Sequence, residues 1–264
     1  MARKATAEPR VTSNLPAVVT LAQLSEESSA IASRIGAASG DRIRSEGNIK
    51  FILPDGSEGQ EIECVVLDFV THNLFYDRAY DPKNPTPPAC FAIGPEPSLL
   101  VPSKNSPDVQ ADTCAGCVLN QFNTALGGGK GKGCKNTRLL ALVPLVALDE
   151  PDRDHPIWTL SVPPASLAGF DGYVRTLASK HKTIPIGVVT TISLGEGQYF
   201  APKFNITRPL KQDELNFFYP RRAEATARIT SEPDVTGYEP PPAARRPVGK
   251  AAPAKAGAKA GAKR

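Results

Sequence analysis

The sequence predicts a mainly β fold with helices (α+β). Three observations carry that expectation. Short runs rich in Val, Ile, Leu and Phe recur between residues 49 and 207, bounded by Gly, Pro, Asn and Asp, the composition of strands and turns. Only two later stretches, 163–181 and 211–229, space their apolar residues as a helix does. Finally, 41% hydrophobic content provides a core, while 26 prolines and 21 glycines in 264 residues demand many loops.

Taken in chain order, residues 1–44 read as an N-terminal arm and a weak helix, in which Leu21, Leu24, Ile31 and Ile35 fall at roughly helical spacing. The runs "IKFIL" (49–53) and "EIECVVLDFV" (61–70) flank "PDGSEG", a turn of the kind that closes hairpins. Residues 77–88 hold too many prolines for regular structure, and "ACFAIG" (89–94) is a short strand. "TRLLALVPLVAL" (137–148) is a buried strand in which Pro144 predicts a bulge or an edge, and "IWTLSV" (157–162) is another.

A proline–serine start and Leu167, Phe170, Val174 and Leu177 on one face make 163–181 a helix. "IPIGVVTTISL" (184–194) and "YFAPKFNIT" (199–207) form a second hairpin around "GEGQ", and 211–229 is a helix broken near Pro220. From Pro233 onward the composition is that of a disordered tail. A strand meander, an intervening helix and two closing strands is the order of an OB-like barrel. The expected organisation is therefore an arm at 1–44, an OB-like domain at 45–230 with a cysteine-rich insert at 90–136, and a basic tail at 231–264.

Charge is unevenly distributed. The formal net charge is +4, yet seven Lys/Arg and no acid lie from Pro240 to the end, leaving 24 Lys/Arg against 27 Asp/Glu before it. A basic surface on the body must therefore come from local clustering. No run approaches the roughly 18 apolar residues of a membrane span, and no apolar segment follows the basic start, so the expected compartment is the cytoplasm and no membrane partner is expected. Thiols stay reduced there, and five cysteines make an odd count, which favours metal ligation or buried thiols over a disulfide framework.

The stretch "CAGCVLNQFNTALGGGKGKGCKN" (114–136) concentrates the chemistry. Cys114-x-x-Cys117 has the spacing of a metal knuckle, with Gly116 easing the turn. Cys134 sits in "GKGCKN", directly after Gly133, and Cys90 lies 24 residues before Cys114. Four thiolates would close a tetrahedral structural site, and a segment this poor in apolar residues needs such a staple. Zinc is the expected ion, with an iron–sulfur cluster as the alternative. His72 could replace Cys90 or Cys134, whereas Cys64, alternating within "IECVVL", reads as a core thiol.

"GGGKGKG" lacks the four-residue spacer and the Ser/Thr of a Walker phosphate loop, so nucleotide hydrolysis is not supported. Its lysines, Lys130, Lys132 and Lys135, with Arg138 beyond, suit a polyanion backbone. Single strands are gripped by cations plus aromatic faces. Candidate partners in that task are Tyr76, Arg78, Tyr80 and Lys83 in the proline-rich loop, Phe122 in the insert and Lys203 on the last hairpin. The remaining histidines, His155 and His181, sit in no triad-like spacing, and no enzymatic role is expected.

"YDPKNPTPPACFAIG", "CAGCVLNQF" and "GKGKGCKNTRLLALVPL", followed by a proline–serine helix start, resemble phage-encoded single-stranded-DNA-binding proteins over roughly residues 45–210. The resemblance implies an OB-fold with a zinc site between strands, Cys90, Cys114, Cys117 and Cys134 as ligands, nearby lysines facing single-stranded DNA, and a part in replication, recombination or repair with proteins of those processes as partners. Such proteins commonly end in an acidic tail; "GKAAPAKAGAKAGAKR" has the opposite sign and would add salt-sensitive affinity for duplex as well as single strands. A packaging protein that condenses nucleic acid through this tail is the alternative reading.

Overall fold

The structure is a computed structural model that describes residues 41–240 except 80, 82, 150–154 and 198. The arm at 1–40 and the tail from 241 onward lie outside the described residues. Among the described residues no helix is long and apolar enough to cross a membrane.

The chain is α+β. Strands β1 (Arg44–Glu46), β2 (Lys50–Ile52) and β3 (Glu58–Gly59) make a small antiparallel sheet. "PDGS" turns the β2–β3 hairpin as its sequence requires, with Gly56 at φ +85° and Asp55 Oδ1 accepting from the Ser57 amide. A second sheet of six strands is organised around one long strand, β4 (Glu61–Phe75). It comprises β4, β5 (Cys90–Gly94), β6 (Cys134–Pro144), β7 (Trp158–Val162), β8 (Val188–Leu194) and β9 (Pro202–Pro209).

β6 runs antiparallel along almost the whole of β4, from Cys64↔Pro144 to Phe75↔Cys134. The other edge of β4 is shared: β8 pairs its first residues and β5 its last five. β7 and β9 are at opposite ends of the strand order β7-β6-β4-β8-β9. No closed barrel forms among the described residues, which corrects the OB-like expectation in its closure. The bulge, too, falls elsewhere than Pro144: it lies between Val66 and Asp68 on β4, while Pro144 ends β6 before a 3-10 turn at Leu145–Leu148.

Both faces of the sheet are covered. Helix α1 (Leu167–Thr176), continued by a π turn to His181, packs Phe170, Tyr173 and Leu177 against Cys64, Val66, Leu140, Leu142 and Ile192. Phe170 is fully buried and meets Phe69 and Phe204 edge-on, each at a centroid distance of 5.0 Å. On the opposite face, α2 (Gln212–Phe218) and α3 (Arg222–Thr230), separated by a 3-10 turn containing Pro220, bring Phe218, Ala225 and Ile229 onto Val65, Leu67, Val70 and Ala141. The bulge makes this possible by resetting which β4 side chains face which helix.

Candidate functional site

Beyond these helices β4 and β6 continue as a ribbon, and the cysteine-rich insert closes over one side of it. The register explains how. Phe75 is the cross-strand partner of Cys90 on β5 and of Cys134 on β6, so both thiols share its face, one strand away on either side. Asn73, two residues earlier, shares that face and pairs with Ala92 and Asn136.

The insert runs first along the open edge of β5. The amides of Ser103 and Asp108 bond to the carbonyls of Phe91 and Ala89, and Ser106 Oγ accepts from the Phe91 amide while donating to its carbonyl. Leu100 then packs on Ala92 and Cys114, with its carbonyl accepting from the Cys114 amide. Cys117 and Leu119 join Phe75, Ala89, Cys90 and Cys134 in a small apolar cluster.

All four cysteines are buried and line one cavity of about 20 Å³, with Asn73, Phe75, Gln110 and Asn120 among the other walls. That volume holds one water-sized particle. Among the described residues no group of three or more His, Cys, Asp or Glu side chains is placed to hold a metal ion. In kind, number and size of cavity the donor set nonetheless fits a tetrahedral thiolate ion. Burial pushes the Cys90 and Cys114 thiols up, and drives Cys134 up to about 12, helped by the three neighbouring cysteines. Burial thus favours the neutral form of Cys90, Cys114 and Cys134, a balance that a bound cation would reverse.

Two alternatives raised by the sequence are placed elsewhere. His72 points to the opposite face, where Nε2 meets the Ile229 carbonyl at 2.8 Å and burial lowers its pKa; it is not a wall of the thiol cavity. Cys64 is a core residue under α1, its Sγ 3.7 Å from the Thr190 carbonyl.

A polar chain leads from the thiols outward. Asn73 bonds the Cys114 thiol, and its Oδ1 accepts from Asn136 Nδ2 at 2.7 Å. Lys132 Nζ donates to Asn136 Oδ1 at 2.9 Å and to Asn120 Oδ1 at 3.2 Å, while Asn120 Nδ2 donates to the Cys114 carbonyl. Lys132 also lies 5.5 Å from the centroid of the Phe122 ring, its partner in an isolated antiparallel bridge.

Phe122, Lys132 and the glycines around them form an exposed lip of the insert, with residues 127–131 at its tip. Gly127 and Gly128 take φ +82° and +80°, and Gly133 passes so near the Thr124 carbonyl that a Cβ would stand 2.8 Å from it. Phe122 is 71% exposed, and Lys130 at the tip is exposed.

The other proposed contacts divide. Lys135 is exposed and lies 5.2 Å from the Tyr76 ring centroid, but alternation puts this pair on the face opposite Lys132 and Phe122. Arg78 is ion-paired to Asp77 at 3.2 Å and donates to the Glu239 carbonyl; Lys83 is exposed; Tyr80 lies outside the described residues. Arg138 is buried and its Nη2 is held 3.4 Å from Asp171 Oδ1 on α1, so it presents no cation at the surface. Lys203 is exposed on β9, whose partner β8 pairs with the start of β4. The insert sits at the far end of that 15-residue strand, roughly 45 Å away at about 3.3 Å per residue.

Sequence reasoning missed Asn73, Asn120 and Asn136, whose only signal was asparagine beside cysteine and lysine, and Tyr238, a lone aromatic in a proline-rich segment. No protein-family model, curated protein or solved structure matches this chain.

Proposed function

We propose that this chain is a non-enzymatic nucleic-acid-binding protein that holds single-stranded DNA on its cysteine-rich insert. The observation that carries the reading is the lip: an exposed Phe122 ring beside Lys132, with Lys130 at the tip, on a segment whose only core is four cysteines and a few apolar contacts. An aromatic face accepts any base by stacking, and neighbouring ammonium groups accept phosphates without reading sequence. Six exposed apolar residues between 99 and 126 (Leu99, Val101, Val109, Val118, Phe122 and Leu126) give unpaired bases further surface that a duplex would not use.

Cys90, Cys114, Cys117 and Cys134 would hold a zinc ion, or alternatively an iron–sulfur cluster, as a structural staple. A bound cation would neutralise thiolates and fix the loop. Asn73 and Asn120 then hold the cysteine segment, Asn136 orients Lys132, and Lys132 keeps Phe122 turned outward. Lys130 remains for phosphates at the lip, while Lys135, on the opposite face, and Lys83, in the proline-rich loop, would meet phosphates of a strand that wraps past the ribbon. Coating of single strands during replication, recombination or repair, in phage or host cytoplasm, follows from the sequence resemblance; the open sheet takes the place of the expected barrel as the frame for the insert.

The test is a fluorescence titration with oligo-dT and with duplex of equal length. Preference for oligo-dT that Phe122→Ala weakens supports the reading; equal binding to both, unchanged by that substitution, opposes it and favours condensation through the tail.

A further inference from the structure

The end of β4 away from the insert carries a second cavity. β4 begins at Glu61, but β6 pairs with it only as far as Cys64↔Pro144 and then leaves the sheet in the 3-10 turn Leu145–Leu148. Glu61, Ile62 and Glu63 pair with β8 on one edge and, among the described residues, with no strand on the other. A cleft of about 540 Å³ opens at this point, with all three residues and Pro144 among its walls. Its apolar lining includes Leu53, Val146, Leu148 and Trp158, of which Val146 is 54% exposed. Trp158 is buried, and its indole N–H has no acceptor among the described residues, an uncommon state for a finished wall. Asp55, Glu61, Glu63 and Asp149 add exposed carboxylates, while the one lining cation, Arg208, is held by Glu214 at 2.6 and 2.7 Å.

We propose that this cleft binds an extended basic segment of a partner protein, one with apolar side chains set between lysines or arginines. The segment lies as an added strand along Glu61–Glu63, in the place that β6 has left, so that main-chain pairing supplies the frame. Its apolar side chains cover Val146 and the Trp158 wall, and a main-chain carbonyl is the kind of acceptor that the indole N–H lacks. Charge selects the class of partner: a lining with five carboxylates and one guanidinium attracts cations and repels phosphates and acidic peptides. The lysine-bearing lip is at the other end of the 15-residue strand, so a nucleic acid on the insert and a basic protein at the cleft need not compete. The site stands whether or not the insert binds nucleic acid.

Trp158 is the single tryptophan of the chain, so its emission reports on this cleft alone. Three peptides are titrated into the full-length protein: Lys-Arg-Val-Leu-Val-Arg-Lys, its acidic counterpart Glu-Asp-Val-Leu-Val-Asp-Glu, and Lys-Arg-Gly-Ser-Gly-Arg-Lys, which keeps the charge without the apolar side chains. Anisotropy of labelled peptides gives the affinity, and Trp158 emission with unlabelled ones gives the location. The first peptide should bind about tenfold or more tightly than either of the others, and should change Trp158 emission over the same concentration range. Glu61→Lys with Glu63→Lys should weaken it by about tenfold and Val146→Asp by about fivefold; all three positions are exposed, and thermal melts confirm that the variants are folded. Phe122→Ala, in the insert, should leave it unchanged. Equal binding of the first and third peptides, binding that leaves Trp158 emission unaltered, or binding that survives the charge reversal overturns the proposal. So does a failure of the first peptide to bind at low salt.

Discussion

The sheet body and the cysteine-rich insert are ordered by different means. In the body, Phe51, Phe170, Phe218, Leu140, Leu142 and Ile157 are fully buried between helices and strands, and each strand finds its partner through a long apolar register. At about 25 cal/mol per Å² of apolar surface removed from water, burial of this kind is what orders the body. Beyond the strand Cys90–Gly94, the insert buries little besides Leu100, Leu119 and its cysteines, and relies on side chains bonded to backbone: Ser106 to Phe91, Asn120 to Cys114, Thr124 to Leu119. A region held in that way is the first to open, and is also where exposed aromatics and lysines can be displayed without disturbing a core.

This contrast can be broken most severely from the body. Phe170→Ala removes the ring around which Phe69, Tyr173 and Phe204 pack, and should cost about 3–5 kcal/mol in urea unfolding, taking sheet and insert down together. Cys117→Ser should do the reverse. Metal content should fall and limited proteolysis should cut within 103–133, while the main thermal transition moves by less than about 1 kcal/mol equivalent.

Smaller effects sharpen the division. Phe122→Ala should weaken oligo-dT binding by about 1–3 kcal/mol and leave the melting curve unchanged, because the ring is exposed. Within the body, Arg208 holds Glu214 through contacts of 2.6 and 2.7 Å, and that ion pair draws the carboxyl down to about 2. A folded-state pKa below the unfolded one adds stability above about pH 4.5 that is lost as pH falls from there toward 2. Glu214→Gln should therefore cost about 1 kcal/mol at pH 7, given the partly exposed arginine, with the difference from wild type vanishing near pH 2. The insert's oligo-dT affinity, measured on the same proteins at pH 7, should not change.

Smallest of all, Lys130→Ala with Lys135→Ala should lower the salt slope by about 1.4, whereas Lys132→Ala should loosen the lip, since that ammonium is engaged by Asn120 and Asn136.

Elements with strong apolar period were legible before the structure: the helix around Phe170, the helix broken at Pro220, the hairpin around "GEGQ" and the strand at 157–162. Closure of the sheet was not, because the same string of strands is compatible with a barrel and with a sheet in which β4 shares one edge between β5 and β8. Within the site, only the Cys114–Cys117 doublet was legible from its spacing; Cys90 and Cys134 were candidates that His72 could have replaced, and alternation along β4 explains why the cavity is walled by those two thiols and not by His72. The fates of Arg138, buried against Asp171, and of Lys203, at the other end of β4, depended on tertiary pairing that no local pattern encodes. Tyr238 was hidden for a related reason: its order comes from Asp77 and the cysteine cluster, more than 100 residues away in sequence, and the segment around it is rich in prolines and acids.

The most direct measurement is oligo-dT affinity on one preparation before metal is stripped, after stripping, and after zinc is restored, with metal content determined at each stage. The account predicts one zinc per chain, at least a tenfold loss of affinity on removal, little change in the main melting transition, and recovery with zinc. A metal-free protein whose four cysteines alkylate freely, and which binds oligo-dT as tightly as before, would contradict it.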